Sequence, residues 1–413
     1  MHILIFNAII TIVVLNYLLD RLLSYLNKTK WTDSLPTELA DIFDKEKYNQ
    51  SIQYKKESYR FSLITGFVSF VIMLLFLLLD GVKYTDSIAH NITSNPILIA
   101  LLFAGIIGLA SDILGIPFEI YGTFVLEQKF GFNTTTKTTF IADKVKGLLL
   151  SAILGGGMLA AFIWFCLSMG GLFWVWVWLA FFSFSLFMAY FYSNLIVPLF
   201  NKQTPLESGI LRNSIEVFCT KANFPLDNVY VIDGSKRSNR ANAYFTGFGK
   251  RKRIVIYDTL RAQLSEDEIV AVLAHEIGHY KCKHVIKGLI SSFFQMGGTM
   301  FLLSLFISKP IFIEAFGLNA PAIHVGLLSF AILYSPLSLL IGLVGNYFSR
   351  KNEYQADAFA SSFGLTEALI SGLKKLSANN LSNLTPHALY VFFHYSHPPL
   401  LERIRAMRKN DKL

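Results

Sequence analysis

The chain has 413 residues, of which 53% are hydrophobic, 15% aromatic and only 16% charged, with a formal net charge of +9 and a mean hydropathy of +0.46. That balance excludes a soluble globular enzyme and describes a chain that crosses a lipid bilayer many times. The three cysteines, Cys166, Cys219 and Cys282, share no short spacing, which excludes a disulfide framework and a cysteine metal site.

Seven apolar stretches, 3–19, 61–80, 96–116, 147–167, 172–195, 288–307 and 322–348, are long enough to span a bilayer or nearly so. The first ends at Asp20-Arg21 and lacks a basic start and a small-residue cleavage site, so it reads as a retained anchor. The second and third are separated by a segment carrying the triplet Asn91-Ile92-Thr93, which reads as well as an accident as it does as a glycan acceptor. The fourth and fifth meet at Gly170-Gly171 and should form a helical hairpin. Segments 20–60, 117–146, 196–287 and 349–413 hold all of the 37 basic residues except Lys83 and Lys309. The positive-inside rule then sets the N-terminus outside and the C-terminus in the cytoplasm, which an odd number of spans satisfies. Topology thus accounts for the basic excess, and no nucleic-acid partner is implied.

After the fifth stretch the chain turns polar. Ala243-Tyr244-Phe245-Thr246-Gly247-Phe248 and Arg253-Ile254-Val255-Ile256-Tyr257 are strand-like, with Gly249-Lys250-Arg251-Lys252 between them, so a β-hairpin is expected. An edge strand there could hold an extended peptide by main-chain hydrogen bonds, with Asn242 adding a side-chain contact; the alternative is a structural cap. Ser265 followed by Glu268 is a capping box, so a helix should start there and run through His275 and His279 towards His284. His275-Glu276-Ile277-Gly278-His279 is an HExxH motif, with two imidazoles one turn apart on one helix face, able to share one Zn²⁺. Glu276 beside them could take a proton from water activated by the metal. His284 falls off that face and reads as a bystander or a support. Beyond the seventh stretch, which Arg350 and Lys351 should end at the interface, Glu353 and Asp357 are again one turn apart. Glu353 suits a third ligand and Asp357 a group that orients a ligand histidine; the rival reading is a solvated helix start. His397 in Tyr395-Ser396-His397-Pro398-Pro399, and Arg403 after it, are candidates to stabilise an oxyanion.

Taken in order, these motifs closely resemble one family, the Ste24-type CAAX prenyl proteases among the M48 metallopeptidases. The resemblance is carried by Glu127-Gln128-Lys129-Phe130-Gly131-Phe132-Asn133, Pro198-Leu199-Phe200-Asn201-Lys202, Asp233-Gly234-Ser235-Lys236-Arg237-Ser238, Asn242-Ala243-Tyr244-Phe245, Tyr257-Asp258-Thr259-Leu260, the HExxH motif, Glu353 to Asp357, and Tyr395 to Arg403. It implies a mainly α, polytopic membrane protein. Seven transmembrane helices would form a barrel-like chamber, with a zinc metallopeptidase domain on the cytoplasmic side containing a small β-hairpin or sheet. It implies one Zn²⁺ per chain held by His275, His279 and Glu353, with Glu276 as the catalytic carboxylate and Asp357 behind a ligand. Asn242, Ala243, Tyr244 and Phe245 become the substrate strand, and His397 and Arg403 substrate or transition-state contacts. The implied partner is a peptide or protein ending in a prenylated CAAX box, which loses its last three residues. The family often has His where this chain has Arg240, which bears on substrate preference rather than on the metal chemistry.

The expected organisation is spans one to five with their loops over 1–200, a peptidase segment over 201–287, spans six and seven over 288–348, and the third-ligand helix with the tail over 349–413. The expected location is a bacterial inner membrane or the endoplasmic reticulum membrane. Three rival readings have distinct signatures. A quality-control protease would cut without prenyl dependence. A site-2-type intramembrane protease would place HExxH inside a span, whereas Lys281, Lys283 and Lys287 flank it here. A non-enzymatic transporter would carry charges in mid-span.

Overall fold

The computed structural model describes every residue except 33, 36, 38, 39, 41–43, 227, 247–252, 308, 320 and 411–413, and describes Phe245, Thr246 and Asn410 by their backbone alone. Seven helices are long and apolar enough to cross a membrane: His2–Lys28, Lys45–Leu78, Pro96–Glu127, Lys137–Ser168, Gly170–Phe200, His284–Phe306 and Ile323–Ser361. They match the seven apolar stretches, but most run well past them. The charged residues that end an apolar run do not end a helix, because Lys, Arg and Glu are good helix formers. The first helix therefore continues through Asp20 and Arg21, and Arg21 donates to the Ser62 carbonyl on the second at 2.9 Å. Caps set several of the ends. Asp44 accepts from the Lys47 N–H at 2.6 Å, and Asn95 accepts from Ile97 and Leu98 with Pro96 in the first turn.

The segment 81–95, expected as a short loop, contains the helix Gly81–Ile92, which buries Val82, Thr85, Asp86 and Ala89. Each spanning helix packs on the next in sequence, except that the second reaches the third through this short helix, and the seventh returns to the first. The packing order thus closes into a ring, with the third helix also touching the seventh across it. Only 6% of the apolar window is buried in the first and second helices, and 17% in the third. A packed bundle would bury a full stripe of every helix. The ring is therefore loosely packed over most of its length, unlike a solid bundle. Asp112, inside the third apolar stretch, is paired with Lys144 at 2.7 Å, and Lys144 also meets Glu119 at 2.8 Å.

The polar segment folds around a four-stranded sheet: β1 (Gln203–Pro205), β2 (Asn228–Ile232), β3 (Ala243–Thr246) and β4 (Arg253–Tyr257), in the order β1-β2-β4-β3. The expected pairing is present, with Ala243 opposite Ile256 and Thr246 opposite Arg253. The expected strand end Gly247-Phe248 and the turn Gly249 to Lys252 lie outside the described residues. The sheet is wider than a hairpin because β2 adds parallel to β4. This suits Ile254, Val255 and Ile256, an unbroken apolar run that is wholly buried, as central strands are. Ile215, Leu260, Ile269, Leu273, Ile277 and Met407 complete one core with the sheet. Full burial of each such side chain stabilises by about 1.5–3 kcal/mol.

Candidate metal centre

The HExxH helix is Glu266–Lys281, and its start is fixed as the capping box requires: the Ser265 N–H donates to Glu268 Oε2 at 2.8 Å and the Glu268 N–H to Ser265 Oγ at 3.4 Å. Glu268 is buried, and its other oxygen accepts from Ser371 and Lys375 at 2.7 and 2.6 Å, fastening the helix to Thr366–Asn379. Burial alone would raise this carboxyl's pKa, but these donors hold it below the usual range. The helix stops before His284. Cys282 caps it, Lys283 takes left-handed φ of 58°, and a new helix starts at His284.

The seventh helix is not ended by Arg350 and Lys351. It runs unbroken to Ser361, so Glu353 and Asp357 sit in its body and not in the first turn of a new helix. Arg350 instead donates to the Tyr395 carbonyl at 2.6 Å. The two helices cross at Gly278. A Cβ there would stand 3.0 Å from the Ala356 Cα and 3.1 Å from its carbonyl oxygen, so any side chain at this position would have to push the two backbones apart by a few tenths of an ångström.

The crossing brings together His275 Nε2, His279 Nε2 and the Glu353 carboxylate. The two nitrogens are 3.2 Å apart; His275 is 3.5 Å from Glu353 Oε2 and His279 is 3.2 Å from Oε1. Ligands at about 2.0–2.1 Å in a tetrahedron around zinc stand roughly 3.3 Å from one another, so the spacing fits that ion. The donor set of two imidazoles and one carboxylate also fits a zinc site with one position left open. Glu353 Oε2 is buried and accepts no hydrogen bond among the described residues; the Arg403 guanidinium stands 3.6 Å away, too far for one, so a metal ion could still take this oxygen as a ligand.

Behind the ligands lies a supporting layer. Asp357 Oδ1 is 2.8 Å from His275 Nδ1, and Arg403 donates to both Asp357 oxygens at 2.9 and 2.6 Å. Burial pushes the His275 pKa down, but the bonds to Asp357 and Glu353 outweigh it and bring it up to about 9. His279 Nδ1 meets His284 Nδ1 at 3.0 Å, and His284 Nε2 meets Gln355 Oε1 at 2.8 Å. His284 is thus a support, swung back by the turn at Lys283, and Gln355 is a contact the sequence did not single out.

Glu276, next to His275 in the helix, is half-buried; its carboxylate makes no hydrogen bond or close ion pair among the described residues, and the Arg403 guanidinium feels its charge. His397 is 65% exposed, with Nε2 3.3 Å from Glu353 Oε1 and Nδ1 2.9 Å from Ser396 Oγ. Arg403, expected beside it, is buried; it holds Asp357 and also stands directly at the centre, 3.4 Å from His275 Nδ1 and 3.6 Å from Glu353 Oε2. β3 is an edge strand and packs against the HExxH helix. Asn242, just before β3, accepts from the Tyr257 N–H at 3.1 Å and turns its side-chain oxygen to the Ala243 N–H at 2.9 Å. Tyr244 OH lies 3.3 Å from Ser193 Oγ and Gln203 Nε2, tying β3 to the fifth spanning helix. The Phe245 side chain lies outside the described residues. Arg240 stacks on Phe132 at 4.2 Å and donates to Glu127 and to Tyr54 at 2.9 and 2.6 Å. Its extra charge is matched within this knot between the ring and the sheet.

Residues 25–202 match the family model described as CAAX prenyl protease N-terminal, five membrane helices, and residues 205–411 match peptidase family M48. The CAAX prenyl protease 1 homolog of Oryza sativa subsp. japonica is 39% identical, over 92% of this chain and 91% of that protein. CAAX prenyl protease 1 of Saccharomyces cerevisiae is 34% identical over 95% and 91% respectively. The crystal structure of Ste24p from S. mikatae superposes with a TM-score of 0.92 at 32% identity, covering 98% of this chain and 99% of that one.

Proposed function

The chain belongs to peptidase family M48 and is a multi-pass membrane protease, and on that premise we propose that it is a zinc metalloendopeptidase that removes the C-terminal tripeptide of prenylated CAAX proteins. The observation that carries this reading is the seam between two helices. There His275, His279 and Glu353 converge with ligand spacing, and Glu276 follows His275 on the same helix. Zinc, when bound, polarises a carbonyl and makes water acidic enough to lose its proton near neutrality. His275, His279 and Glu353 would hold it. Glu276 takes a proton from the attacking water and returns it to the departing amine nitrogen. Asp357 keeps the His275 ring in the orientation that presents Nε2, and Arg403 positions Asp357. His397, exposed beside Glu353, is the donor for the oxyanion that develops on the scissile carbonyl.

The substrate backbone adds to the free edge of β3 from Asn242 through Phe245, an arrangement supported by β3's place at the sheet edge against the HExxH helix. The charge asymmetry of the loops supports a cytoplasmic active site, with the N-terminus outside and the C-terminus in the cytoplasm. The test is cleavage of a farnesylated CAAX peptide against its unprenylated twin, with Glu276→Ala as control. The farnesylated peptide should be cut at least tenfold faster, and the variant should cut neither. Equal rates for the two peptides would remove the prenyl requirement and leave general membrane proteolysis.

A further inference from the structure

Two motifs of the sequence, Pro198 to Lys202 and Asp233 to Ser238, play no part in the metal chemistry, yet the structure ties them into one junction. Asn201 donates to Asp233 at 2.9 Å, the Lys202 N–H donates to the same carboxylate at 2.8 Å, and Arg237 grips both the Phe200 carbonyl and Asp143. These bonds use up the acids and leave cations. An open cleft of about 620 Å³ beside the junction is lined by Lys146, Lys202, Lys236 and Arg253 and by one carboxylate, Asp233, already engaged. None of the four cations makes an ion pair among the described residues, and Asp143, the carboxylate whose charge Lys146 and Lys236 feel, is already held by Arg237. Lys146 donates to the Leu199 carbonyl at 2.7 Å, and Arg253 donates to the neutral Asn194 amide and lies over Tyr230 at 5.0 Å.

The level of the cleft matters as much as its charge. Lys146 immediately precedes the fourth apolar stretch, and Asn194 lies at the end of the fifth. The cleft therefore opens where hydrocarbon gives way to headgroups. Around it, Val145, Leu149, Leu195 and Leu199 are about half exposed, the surface that acyl chains would cover. We infer that this cleft is a binding site for the headgroup phosphate of an anionic phospholipid, with its chains lying along the fourth and fifth spanning helices. A cation cluster at this depth attracts anionic lipid, while an aqueous enzyme would gain nothing from flanking it with exposed leucines. The bound lipid would brace the joint between the ring and the sheet whose far edge is β3.

The experiment uses the full chain in nanodiscs of phosphatidylcholine, with and without phosphatidylglycerol, and in phosphatidylcholine with inorganic phosphate added. The readouts are lipid retained in native mass spectrometry and the thermal unfolding midpoint. Phosphatidylglycerol should be retained and raise the midpoint, and inorganic phosphate should not. The double variant Lys202→Gln/Lys236→Gln should retain on the order of tenfold less phosphatidylglycerol, while Lys56→Gln/Lys409→Gln, which removes two exposed lysines elsewhere, should behave as the parent. The parent's lipid retention should also fall with added salt, a readout that needs no variant. Equal retention by the two double variants, retention indifferent to salt, or a midpoint raised as much by inorganic phosphate, would overturn the inference.

Discussion

In the proposed zinc site Asp357 acts through charge and orientation. It holds the Nδ1 side of His275 at 2.8 Å and is itself held by Arg403, so the Nε2 side faces the other ligands. Without a metal, Asp357 together with Glu353 keeps His275 in its cationic form up to about pH 9. A cation must displace the extra proton, so zinc affinity should climb with pH until about 9. Asp357→Asn removes one of the charges that hold the proton but also the bond that orients the ring. Zinc affinity should fall about 10- to 100-fold, because orientation and ligand basicity outweigh the easier deprotonation. The pH dependence should also level off at lower pH than in the parent. Competition titration with a chelator at several pH values checks both, and an unchanged affinity would remove Asp357 from this role. At this scale the sequence was informative: HExxH and the Glu353/Asp357 pair both show one-turn spacing. Gln355 was not legible, because its contact with His284 depends on the turn at Lys283, a lysine whose left-handed φ no local pattern announces.

Two helices make the centre, and their approach is set by a residue that touches no metal. Gly278 lets the HExxH helix meet the seventh spanning helix backbone to backbone. In Gly278→Ala the added methyl must push against Ala356, whose Cα and carbonyl cannot rotate away. The ligand triangle should open, with zinc affinity and peptide cleavage both falling at least tenfold, although alanine is the better helix former. Metal content after dialysis and the initial cleavage rate measure this; a variant with full zinc and full rate would show that the crossing tolerates a methyl. The capping box was legible from Ser265 and Glu268 because it is a local pattern. The length of the seventh helix was not: hydropathy ends at Tyr347-Phe348, whereas hydrogen bonding continues to Ser361, since Arg350 and Lys351 favour helix as much as the residues before them.

For the whole molecule, hydropathy gave the number of spans, and the asymmetry of Lys and Arg suggested their direction. Ring closure was not readable, because it depends on which helix faces pack, and the helix Gly81–Ile92 that links the second span to the third is too polar for a hydropathy scan. The ring and the sheet make one device: the wall of spans places a peptidase core at the bilayer, and the seventh helix belongs to both, spanning the membrane and carrying Glu353. The central claim is that this shared helix completes a zinc centre whose proton carrier is Glu276. The most direct measurement is cleavage of a farnesylated CAAX peptide by parent and Glu276→Gln protein, with zinc quantified in the same samples. Both should carry one zinc per chain, and the variant's rate should fall by about 10²- to 10⁴-fold, the loss expected when a general base is removed. A Glu276→Gln protein that holds its zinc and cleaves at the parent rate would contradict the account.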